Sequence, residues 1–202
     1  MLPPRAYAEP LPPFSANVRA HAAPTDSRPP LIVAAEPSQL DRFPAAPYSR
    51  WAARTTAEAL RLIERSRPRV IALDWDLPEI DPVAICAAAK QVGPVGILAV
   101  TAKPERAPSA LKAGCHSLLL KPFSLNLVAA RLGRLCREMP AAAAATRLGA
   151  SLSLWGTNRT WPEVHCPQCN KGNAVCFEYS SHRRSWYACL QCEHVWIAPR
   201  RE

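Results

Sequence analysis

Residues 70–78 read VIALDWDLP: four apolar residues, an aspartate at 74, a second at 76 and a proline at 78. A run such as VIAL suits a strand buried on both faces, and a carboxylate directly after it stands at the rim of the sheet. Working outward, LIVAA (31–35), GILAVT (96–101) and SLLLK (117–121) are runs of the same kind, and RWAAR (50–54) is a weaker fifth. Helical stretches separate them. Thr55 with Glu58 makes a capping box ahead of ALRLIERS, and Asp81-Pro82 supplies an N-cap and first-turn proline before VAICAAAK. SALKAG (109–114) ends on a glycine suited to a left-handed cap. Ser124 caps LNLVAARLGRLCRE, in which Leu125, Val128, Leu132, Leu135 and Cys136 form one apolar stripe. Strand–helix alternation of this kind predicts an α/β fold, a doubly wound five-stranded parallel sheet with helices on both faces. Between Glu36 and Arg50 there is room for only a short helix, interrupted by Pro44 and Pro47.

The chain has 202 residues, enough for one ordinary domain and a small second one. Its 22 prolines are too many for one compact fold. Residues 1–29 carry seven of them and few large apolar groups, which predicts a disordered segment. The α/β domain spans 30–138, an Ala-rich linker 139–160, a second small domain 161–199 and a tail 200–202. The net charge of +9 is spread along the chain, which favours solubility and acidic partners more than a nucleic-acid groove. No run approaches the roughly 18–20 apolar residues of a membrane helix, and the N-terminus lacks the apolar core of a secretory signal. A cytoplasmic protein without membrane contact is expected, where paired thiols mean metal or redox chemistry before disulfides.

In an open α/β sheet, ligands gather outside the carboxyl ends of the strands. Asp74, Thr101 and Lys121 bring an acid, a hydroxyl and an ammonium to three of those ends. With ALDWDLP, LAVTA and AGCHSLLLKPF in order, residues 30–138 resemble the receiver domain of bacterial two-component response regulators (CheY-like). The resemblance implies Asp74 as phosphoacceptor, Thr101 on the phosphoryl oxygen and Lys121 paired with its charge. It also implies a magnesium ion, because attacking carboxylate and phosphoryl group are both negative. The family has an acidic pair after its first strand, as in VDDEP, whereas this chain reads VAAEP: Ala34 and Ala35 bring no side-chain oxygen for a hard cation. Pro82 stands in place of a usual glycine, and Leu118 in place of an aromatic switch residue. These departures predict a degenerate pocket that does not bind magnesium, with Asp74 a relic or a fixed charge paired with Lys121. The bland reading agrees: an ion pair at the rim and a threonine capping a turn. Asp76 is placed to restore some acidity. Cys115 and His116 are expected as a buried thiol and a partly exposed imidazole.

In the tail, HCPQC (165–169) and ACLQC (188–192) place two Cys-x-x-Cys pairs nineteen residues apart. Two such knuckles complete a tetrahedral site of four thiolates, Cys166, Cys169, Cys189 and Cys192. A segment of about 40 residues is too small for a self-sufficient core, so metal binding would supply folding energy. AVCFEYS and RSWYAC read as a hairpin, HVWIA as a third strand, and Cys176 as part of its interior. The segment resembles a four-cysteine zinc ribbon, all-β, with a structural zinc. Rubredoxin-like iron shares the spacing; Asn170 after the first knuckle tolerates a left-handed turn, and Glu193 after the second is unusual for either metal. Arg183 and Arg184 beside two aromatics could meet nucleic acid, but residues 161–202 hold only five basic residues against four acids, which favours a solvated turn.

The expectation is a non-catalytic adaptor. A degenerate receiver contacts a protein partner, a kinase or regulator, through the surface around its last strand and helix, and the tethered ribbon adds a second contact. Two alternatives stay open: a regulator whose ribbon binds DNA or RNA, and a receiver phosphorylated on Asp74. Pairing of two copies through the last helix is a further open possibility. High Ala, Arg and Pro content points to a GC-rich bacterial genome.

Overall fold

The computed structural model describes residues 30–35, 40, 43–44, 47–139, 164–172, 174–180 and 184–199. The expected disordered N-terminus, nearly all of the linker, the short first helix, Glu36 and Arg183 lie outside these residues. Five parallel strands form one sheet in the order β2-β1-β3-β4-β5. They are β1 (Pro30–Ala34), β2 (Ser49–Ala53), β3 (Val70–Asp74), β4 (Gly96–Thr101) and β5 (Ser117–Leu120). The weak candidate RWAAR is thus a true strand, at the sheet's edge beside β1. Every residue of β3 and β4 is buried, as a central strand covered on both faces requires.

Helices α1 (Thr56–Ser66), α2 (Pro82–Val92) and α3 (Ala107–Ala113) lie on one face. There Ala59, Ile63, Ile85, Ala89, Ala110 and Leu111 join Ile32, Ile71, Leu73, Ile97 and Leu118 in one apolar cluster. Helix α4 (Leu125–Glu138) covers the other face: Val128, Leu132 and Leu135 pack on Val33, Ala72, Leu98 and Leu119, with Phe43 and Tyr48 beside them. Each fully buried aliphatic side chain of these layers contributes about 1.5–3 kcal/mol. The α4 stripe is shorter than its periodicity suggests. Leu125 is 58% exposed, because the first residue after the Ser124 cap lies beyond the sheet.

The caps follow the sequence with one variation. The Thr55 hydroxyl accepts from the Glu58 N–H, but the Glu58 carboxylate accepts from the Arg54 N–H rather than that of Thr55. Asp81 accepts from Val83 and Ala84 N–H, and Gly114 closes α3 at φ 103°. The Arg69 guanidinium donates to the carbonyls of Cys136 and Met139, covering the last turn of α4 from across the sheet.

A second, antiparallel sheet, β6 (Ala174–Ser180), β7 (Arg184–Cys189) and β8 (Val195–Pro199), is the expected hairpin plus third strand. It is not merely tethered. Strand β6 lies against β5 and β7 against α3, so the small domain docks on the α/β domain.

Candidate functional site

The rim of the sheet gathers the residues that the sequence singled out. Asp74 ends β3 with its carboxylate 1% exposed; Lys121 follows β5 and sends Nζ to both of its oxygens, at 2.8 and 2.7 Å. The Asp76 N–H donates to Asp74 Oδ1 at 3.0 Å, so a turn immediately after the strand holds this carboxylate from its own chain. The Asp76 carboxylate then spans the gap to β4. It accepts from the Thr101 hydroxyl at 2.7 Å, from the Ala102 N–H at 2.6 Å and from Lys121 Nζ at 3.2 Å. The guanidinium of Arg106 donates to the Trp75 carbonyl and stands 3.8 Å from Asp76. Burial opposes ionisation of Asp76, but the Ala102 N–H, the Thr101 hydroxyl and Lys121 outweigh it and hold its pKa below the usual value. Thr101 also accepts from the Lys103 N–H at 3.0 Å, the turn-capping role expected of it. At the end of β1, Ala34 and Ala35 are buried and present methyl groups.

The other cluster is in the small domain. The sulfur atoms of Cys166, Cys169, Cys189 and Cys192 all lie within 4.8 Å of one another. Cys166 and Cys192 are 3.6 Å apart at Sγ, as are Cys169 and Cys189. A tetrahedral zinc with four thiolates spaces its sulfurs about 3.8 Å apart, so the donor set fits that ion in type, number and spacing. The two knuckles are alike in their hydrogen bonds. Asn170 N–H donates to Cys166 O and Cys166 N–H to Lys171 O; Glu193 N–H donates to Cys189 O and Cys189 N–H to His194 O. Asn170 and Glu193 both take positive φ, 55° and 62°. Burial resists ionisation of Cys166, yet the Cys169 and Gln168 N–H groups and the Cys192 thiol bring its pKa down to about 7. His165 is exposed, and the His194 ring stacks on Trp196.

Residues 45–132 match the family described as the response regulator receiver domain. The chain carries a receiver domain. It is 30% identical over 109 residues to the response regulator MprA of Mycobacterium leprae, covering 52% of this chain and 48% of that one. It is 34% identical over 85 residues to the transcriptional regulatory protein PrrA of Mycobacterium tuberculosis, covering 41% and 36%. The chain thus spans about half or less of the length of these relatives. The fold is that of the receiver domain of a LuxO repressor protein from Vibrio parahaemolyticus (TM-score 0.50, 20% identity, covering 61% of this chain and 98% of that one). A response regulator from Clostridium difficile is similar to the same degree (TM-score 0.50, 21% identity, covering 56% and 99%).

Among the described residues, β1 contributes no carboxylate and both oxygens of Asp74 are engaged by one ammonium. Leu118 is fully buried in the core rather than exposed as a movable ring. Cys115 is buried and His116 half-buried, and the His116 ring accepts the Ile97 N–H at 3.2 Å. Two participants escaped the sequence reading. Arg106 sits on a short helical turn, Pro104–Arg106, and the Ala102 N–H is a backbone donor, so neither leaves a side-chain pattern. Cys86, whose Sγ is 3.8 Å from that of Cys115, was likewise invisible in the sequence, because the two belong to α2 and the loop before β5.

Proposed function

We propose that this protein is a non-catalytic signalling adaptor whose receiver domain contacts a protein partner without magnesium-dependent phosphorylation of Asp74. The observation that carries the reading is the Asp76 carboxylate. It lies on the Thr101 hydroxyl and the Lys121 ammonium, which the resemblance assigns to a phosphoryl group, and on the backbone N–H of Ala102. An internal anion thus balances Lys121 where an incoming one would have to bind, and the alanines beside it offer no metal ligands. The partner is a kinase or another regulator. Cys166, Cys169, Cys189 and Cys192 hold a structural zinc, which orders the small domain and supplies no reaction, since four thiolates close its coordination shell.

The test is exposure of the full-length protein to acetyl phosphate and magnesium, followed by intact mass. No gain of about 80 Da, one phosphoryl group, is expected. A gain that disappears in Asp74→Ala would refute the reading. A second reading, in which the ribbon binds nucleic acid, draws support from the exposed Arg184 at the start of β7.

A further inference from the structure

The ribbon sheet is apolar on both sides, and only one side closes within the ribbon. Along β6, Ala174 and Cys176 face Val164 and Tyr187, with Trp196 and Ala198 of β8 packed on them. Val175 and Phe177, one position out of phase, join Ala188 in the same cluster as Leu111 and Leu118 of the receiver domain. Trp186, Leu190 and Val195 pack against that cluster. Alternation with period two therefore divides the ribbon into a private core and a docking face. Val175, Phe177 and Ala188 are at most 2% exposed, an enclosure that a three-stranded sheet cannot provide for both of its faces. The receiver domain has a matching need. Strand β5 is the last in its sheet, and β6 lies against it.

The metal cluster is at this junction. Glu193 directly follows Cys192, and from its left-handed backbone it reaches Lys112 of α3 at 2.5 Å. The knuckle that would grip the ion is the one that presents this carboxylate. A segment as short as 164–199 depends on the ion to hold such turns.

We propose that the four-cysteine ribbon is a metal-dependent cover over the β5–α3 edge of the receiver domain: with a zinc-class cation bound, the edge is closed by the chain's own ribbon, and loss of the ion opens it. The proposal rests on the reading of the four cysteines as a zinc site. It narrows the surface available to a partner in the loaded protein to the α4 side, because the ribbon occupies the flank of the last strand.

Hydrogen exchange on the full-length protein tests it, with zinc content measured on the same sample by elemental analysis. In the zinc-loaded protein, peptides covering 107–120 are expected to be protected. After removal of zinc with a chelator their exchange should rise at least about tenfold, the factor that losing one well-buried apolar contact represents. Peptides from β1 and β3 should not change. In Phe177→Glu, zinc content near one per chain with faster exchange at 107–120 is expected. Stoichiometric zinc whose removal leaves 107–120 unchanged overturns the cover while the zinc site stands, as does unchanged exchange in a zinc-loaded Phe177→Glu. Absence of bound zinc overturns the zinc site and the metal dependence together. If Phe177→Glu fails to load, the chelation arm on the unaltered chain decides alone.

Discussion

At the scale of single residues, Asp76 organises the rim. Its carboxylate accepts three charged or strongly polarised donors, and Asp76→Asn keeps the shape while losing the charge. Such bonds are worth about 1.5–3 kcal/mol when buried, and partial exposure reduces this site to about 1 kcal/mol. Chemical denaturation at pH 7 should show that loss. The pH dependence has a definite sign. Because the folded pKa of Asp76 lies below its ordinary 3.8, the stabilisation is complete above that value. It is lost as the pH falls from there through the lowered folded value. Denaturation curves collected from pH 5 down to pH 2.5 should therefore descend less steeply for Asp76→Asn than for the unaltered chain. Identical slopes would mean that the carboxylate contributes nothing ionic. The sequence placed Asp76 near the pocket, but only the turn after β3 decides that its side chain crosses to Thr101.

At the scale of elements, local rules explain the helices well. Asp81 accepts two N–H groups at the start of α2 and donates its own N–H to the Thr56 hydroxyl. Asp81→Ala should lower stability by about 1 kcal/mol, measured as a shift of the denaturant midpoint at unchanged slope. A cap needs only neighbours within one turn, which is why Thr55, Asp81, Gly114 and Ser124 were all legible in the sequence. Gly96 shows the opposite case. A Cβ there would stand 3.0 Å from the Leu135 Cβ and 3.2 Å from the Met139 Cγ, so the residue is small because α4 crosses over the start of β4. Nothing in GILAVT announces that neighbour.

At the scale of the whole molecule, the two sheets are joined through an apolar interface and the Lys112–Glu193 pair. That pair is largely exposed and is itself a minor contributor, so the docking rests on Val175, Phe177 and Ala188. Stability and metal should therefore be linked. Thermal unfolding of the zinc-loaded chain is expected to lose about 2–5 °C on chelation even when followed by a probe in the receiver domain, since each kcal/mol shifts a domain of this size by a few degrees. A receiver transition insensitive to zinc would argue against energetic coupling between the sheets. Among the described residues, no helix is long and apolar enough to cross a membrane.

The sequence by itself determined the five strands, the rim positions of Asp74, Thr101 and Lys121, and the four clustered cysteines with Asn170 in the left-handed turn of the first knuckle; the left-handed turn at Glu193 was not legible in it. The legible features follow from period, capping and spacing, each a property of a few adjacent residues. The tertiary structure alone decided that Asp76 binds the groups facing Asp74, that Cys86 meets Cys115, and that the ribbon packs against β5 and α3. Those contacts join residues 25 to about 80 positions apart, and the choice among them is made by which apolar faces remain uncovered once the local elements have formed.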